Sequence, residues 1–75
     1  MENPELDKLR LEYKAAVERW VSSIRFEESL ATPDHSMVAM EDWDRANLAE
    51  QDARSEAKAA RQEYADALRQ VLFNF

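Results

Sequence analysis

Not one of the 75 residues is glycine. Glycine supplies positive φ in tight hairpin turns, lets a backbone close on phosphate and forms the sharp turn beneath a nucleophilic serine. A chain without it forgoes all three. It has no cysteine either, so disulfides and Cys-based zinc sites drop out. No run alternates with period two between turn residues, which removes the usual signature of strands. Helix remains. Apolar residues make up 45% of the chain, yet twelve of them are alanine, so large side chains for a core are scarce. Charged residues at 35% fit long exposed helices.

The two prolines fall where helices begin. Asn3 before Pro4 reads as a cap followed by a first-turn proline, with Glu5 and Asp7 suited to the positive end of the helix dipole. Thr32, Pro33 and Asp34 repeat the pattern in mid-chain, and Ser36 is a second candidate cap. The pattern predicts one domain over 1–75, with helix 1 at about 4–30, a turn at about 31–36 and helix 2 at about 34–73. In helix 1, Leu6, Leu9, Tyr13, Ala16, Trp20 and Ile24 recur at helical spacing, widened by Val17 and Val21. In helix 2, Trp43, Ala46, Ala53, Ala57, Ala60, Tyr64, Ala67 and Val71 do the same. Glu5–Lys8, Asp7–Arg10, Glu50–Arg54 and Asp66–Arg69 are read as pairs on the polar faces. The expected fold is all-α, a long antiparallel helical hairpin that dimerises into a four-helix bundle. Many unrelated helical hairpins share this periodicity, which points to no particular family.

Three features bear on function. The first is a ladder: Ala39, Ala46, Ala53, Ala60 and Ala67 stand seven residues apart on one side of helix 2. Small residues on a seam let helix backbones approach closely. The second is a mismatch of lengths. Counting back from the turn at equal rise places Leu6 opposite roughly residue 61, leaving Tyr64–Phe75 without cover. Tyr64, Leu68, Val71, Leu72, Phe73 and Phe75 are therefore the expected self-association residues. The third is an acidic corner. Between Arg25 and Arg45 there is no Lys or Arg, while Glu27, Glu28, Asp34, Glu41, Asp42 and Asp44 all fall there. Acids and bases balance elsewhere, so the whole net charge of −6 belongs to this segment, with His35 in its middle. A basic protein is the partner such a surface would fit. Trp43 is expected to close the corner against Ile24, Phe26 or Leu30, with Met37, Val38 and Met40 as its apolar cover.

The chemical inventory points away from catalysis. The single histidine neighbours Ser36, but adjacent helical residues do not face each other. Carboxylate-bridged metal bundles use a Glu-x-x-His turn that this chain lacks, so no metal or cofactor is expected. Basic residues are interleaved with acids, which disfavours nucleic acid and membrane surfaces alike. No stretch reaches the ~18 apolar residues of a membrane span, and the opening run MENPELDKLR has no signal-peptide core; a cytoplasmic location is expected. The sequence thus suggests a small non-catalytic interaction or regulatory module acting as a homodimer. Its runner-up is an acidic antitoxin- or inhibitor-like subunit binding a basic protein through residues 27–44, and a metal-carboxylate bundle comes third.

Overall fold

A computed structural model describes residues 3–31, 33 and 36–73. It holds two helices, α1 (Pro4–Ser29) and α2 (Met37–Phe73), packed against each other. They run antiparallel: Tyr13 meets Tyr64 and Trp20 meets Glu50, so numbers rise along one helix as they fall along the other. The fold is a helical hairpin.

Local chemistry sets the helix ends. The Asn3 side chain accepts from the Glu5 and Leu6 N–H groups at 3.1 Å each, satisfying two donors that the first turn of α1 would leave free. Asn3→Ala should cost about 1 kcal/mol, read from thermal unfolding followed by circular dichroism. At the other end there is no glycine to turn the chain into left-handed geometry. Instead Leu30 and Ala31 donate to the carbonyls of Glu27 and Glu28, three residues back, in a tightened last turn. The second helix starts at Met37, later than the expected 34, because Ser36 acts as its cap: the Ser36 Oγ accepts from Ala39 N–H at 3.2 Å. Thr32, Asp34 and His35 lie outside the described residues.

The shielded positions trace a heptad seam on each helix. On α1 they are Leu6, Leu9, Tyr13, Ala16, Trp20, Ser23 and Glu27, at alternating steps of three and four. On α2 the ladder Ala39, Ala46, Ala53, Ala60, Ala67 alternates with Glu50, Ala57 and Tyr64. A mean repeat of 3.5 keeps both stripes facing each other along the hairpin. Ile24 leaves this seam, contrary to the expected stripe, and is exposed on the flank. The reason is drift: a continued 3.6 period carries a residue off a 3.5 seam, and Ser23 takes the place beneath it.

The packed interior is small. Among the described residues only Ala16, Ala46, Ala57 and Glu50 are buried, and no large side chain is fully enclosed. The molecule measures 55 × 19 × 13 Å. Its long axis equals the length of α2, and its thickness is that of one helix with side chains. This is a single layer, where stable domains stack two.

Candidate interaction surface

The alanine ladder is where the sequence placed it. Ala46 is buried, and Ala39, Ala53, Ala60 and Ala67 are half-buried along the line facing α1. What alternates with it is unexpected. Glu50, read from sequence as one half of a polar-face pair, is 6% exposed at the centre of the seam. Trp20 Nε1 donates to its Oε1 at 2.9 Å across the helix interface. One turn further along α2, Arg54 grips the same carboxylate through Nε and Nη2, the closest approach being 2.7 Å to Oε2. The small neighbours Ala46, Ala53 and Ala57 leave room for the indole. The Trp20 bond, then that of Arg54, holds the Glu50 carboxyl below the ordinary carboxylate range, against the opposing pull of desolvation. Among the described residues no buried side-chain nitrogen or oxygen lacks a partner, so the cluster is fully satisfied. A polar residue at one seam position penalises slipped registers, in which its charge would meet alanine.

The C-terminal overhang is shorter than expected. Tyr64 has cover within the chain: it is half-buried, its ring centroid 6.2 Å from that of Tyr13. Counting backbone rise alone misses this contact, because helical side chains lean toward their own N-terminus. In antiparallel helices Tyr13 and Tyr64 therefore lean toward each other. Leu68 is half-buried as well. The exposed run is Val71, Leu72 and Phe73, and Phe75 lies outside the described residues.

The turn end differs from expectation in the opposite sense. Trp43 does not close a corner: it is 39% exposed, and Ile24, Phe26, Met37, Val38 and Met40 are exposed around it. Large apolar side chains are present on both helices at this end, Ile24 and Phe26 on α1 and Met37, Val38 and Met40 on α2, but the hairpin leaves them open to solvent. Acids share this end. Glu28, Glu41, Asp42 and Asp44 are exposed and Glu27 is half-buried, while Asp34 is outside the described residues. Glu41 and Asp42 lie beyond the first turn of α2, which carries no acid, so the helix dipole gives them little support. Asp42 has one loose partner, Arg45 at 3.9 Å, with both side chains well exposed. Of the surface pairs expected from spacing, Asp7–Arg10 forms at 2.9 Å and Asp66–Arg69 at 3.3 Å.

Heptad geometry sorts the remaining surface into two flanks. On one lie Arg10, Val17 and Ile24 of α1 with Met40, Asn47, Arg54, Arg61 and Leu68 of α2. On the other lie Glu5, Glu12, Arg19 and Phe26 with Asp42, Ala49, Glu56, Glu63 and Gln70. The Arg19–Glu56 ion pair, 3.7 Å across the helices, confirms that the second set shares one side.

Among the described residues no three Asp or Glu side chains converge on a point that could hold a metal ion. Among the described residues no helix is long and apolar enough to cross a membrane. No family model, curated protein or solved structure matches the chain.

Proposed function

We propose that this chain is a small non-catalytic helical interaction or regulatory module that acts as a homodimer. One observation carries the reading: the hairpin is a single layer with, among the described residues, no large side chain fully enclosed, while Val71, Leu72 and Phe73 at one end and Met37, Val38, Met40 and Trp43 at the other lie exposed. Side chains of this kind are covered when a second layer stacks on the first. Light scattering on a sizing column tests it. The expected mass is that of two chains and does not change in high salt, because apolar contact is unscreened. Leu68→Asp and Val71→Asp should bring the mass to that of one chain, and Gln62→Asp, on the outer side of α2, should leave it at two. A single-chain mass for the unaltered protein overturns the reading.

A second reading rests on the turn end, where exposed Glu28, Glu41, Asp42 and Asp44 have little intrachain neutralisation. In it the chain is an acidic antitoxin- or inhibitor-like subunit whose residues 27–44 bind a basic protein. Such a complex dissociates with rising salt and weakens sharply in the double variant Glu27→Lys, Glu28→Lys.

A further inference from the structure

We infer that the flank bearing Val17, Ile24, Met40 and Leu68 is the face on which a second copy of this chain stacks, with the two hairpins pointing in opposite directions. The inference rests on the homodimer reading above and adds the face and the orientation.

Surface area asks for a partner of about this size. The chain exposes 6209 Å². A compact monomer of 8.8 kDa exposes about 4,800 Å², leaving about 1,400 Å² in excess. Covering that on both copies gives an interface within the range of obligate homodimers, ~2,000–5,000 Å² in total.

Charge selects the face. The opposite flank sets Glu5, Glu12, Asp42, Glu56 and Glu63 against the single cation Arg19, so two copies meeting there would repel. The chosen flank carries no carboxylate. Two of its three arginines are already neutralised within the chain, Arg10 by Asp7 and Arg54 by Glu50. Its apolar members run the length of the flank, Ile24 and Met40 near the turn, Val17 at the middle of α1 and Leu68 near the C-terminus of α2.

Charge also selects the direction. The net charge of −6 falls within residues 27–44, and the described acids among them, Glu27, Glu28, Glu41, Asp42 and Asp44, belong to the turn end. If the hairpins pointed the same way, two such ends would lie side by side. Opposed hairpins hold them tens of ångströms apart, beyond the ~8–10 Å over which charges are felt in physiological salt. The same arrangement stacks α2 on α2 about its midpoint near residue 55, which brings Met40 of one copy to the level of residue 70 of the other, beside Leu68. The apolar turn end then covers the apolar C-terminal end, and a two-fold axis closes the assembly at two chains.

The absence of cysteine makes single-site labelling clean. Spin labels on Met40→Cys should lie about 45 Å apart across the dimer, the rise of some thirty helical residues. Labels on Ser55→Cys, near the axis, should lie within about 20 Å. Hairpins pointing the same way reverse the order of these distances and overturn the proposed direction. For the face, Ile24→Asp is expected to convert the dimer to single chains while Ala49→Asp, on the acidic flank, leaves it intact. The converse result overturns the choice of face. Both positions are exposed, and circular dichroism checks that each variant stays helical. A single-chain mass for the unaltered protein defeats the homodimer reading itself. A two-chain mass with the wrong distances defeats only this inference.

Discussion

Glu50→Lys is expected to abolish the cooperative thermal transition, and Glu50→Gln to preserve it at a lower midpoint. The carboxylate is the shared acceptor for three side-chain donors, Trp20 Nε1 and the Nε and Nη2 of Arg54. Lysine has donors and no acceptor. In its place an ammonium would face the indole N–H and sit one turn from Arg54, with alanines for its remaining neighbours and no way to satisfy the buried groups. Glutamine keeps an oxygen for Trp20 and loses the charge, so the seam persists and only the charge-assisted part is gone. The pH dependence gives an independent readout. Because the folded state holds the Glu50 carboxyl below its ordinary range, this group stabilises the fold at neutral pH. That stabilisation declines as the pH drops below the ordinary glutamate pKa of about 4.3, and it is lost once the pH passes the lower folded value. The melting midpoint should therefore fall on acidification, and Glu50→Gln should flatten that limb relative to the parent. Trp20 fluorescence, isolated by Trp43→Phe at the exposed second tryptophan, should change over the same range. An unchanged acid limb in Glu50→Gln would remove the carboxylate from its structural role.

Much of the fold was legible because its determinants are local. Asn3 before Pro4 caps α1 as spacing predicts, and seven-residue alanines mark one line of the seam. Glu50 was misread as half of a polar-face pair, although the alanine spacing around it marks its position as part of the seam. If Ala46 and Ala53 are seam positions, the alternating step of four and three places position 50 between them in the same stripe. Glutamate followed four residues later by arginine looks like a solvent pair, and only Trp20 on the other helix shows otherwise. That contact is thirty residues distant in sequence, and no local pattern encodes it. The same holds for the uncovered stretch after Tyr64. Backbone counting gives the level of each Cα but omits the lean of two tyrosine side chains toward one another. The turn end was misread for a different reason. Hydrophobic residues near a connection suggest a closed corner, but Trp43 stays 39% exposed and Phe26, Met37, Val38 and Met40 more so, an outcome set by how the two helix ends diverge from mutual cover and not by any local pattern.

Ala57→Leu is expected to destabilise the protein by about 1–3 kcal/mol, and Ala59→Leu to leave it nearly unchanged. The two alanines are two residues apart in the middle of α2 and differ in the face they present. Ala57 is 3% exposed on the seam, whereas Ala59 lies open to solvent on the side away from it. Leucine and alanine are both strong helix formers, so intrinsic propensity contributes little to either change. What distinguishes them is space. At position 57 three added carbon atoms must enter a seam whose neighbouring positions are Ala53 and Ala60 and in which Ala57 is already buried. The helices then either separate, which lengthens the Trp20–Glu50 bond, or force side chains from their rotamers. A loss of this size matters where three alanines and one glutamate are the buried residues among those described, since domains hold only about 5–15 kcal/mol in total. Chemical denaturation of both variants decides between meanings of the ladder. If Ala57→Leu is tolerated as well as Ala59→Leu, the alanines reflect helix propensity alone. If only position 57 fails, the seven-residue spacing is a steric requirement, and the close seam is what lets one tryptophan reach one carboxylate.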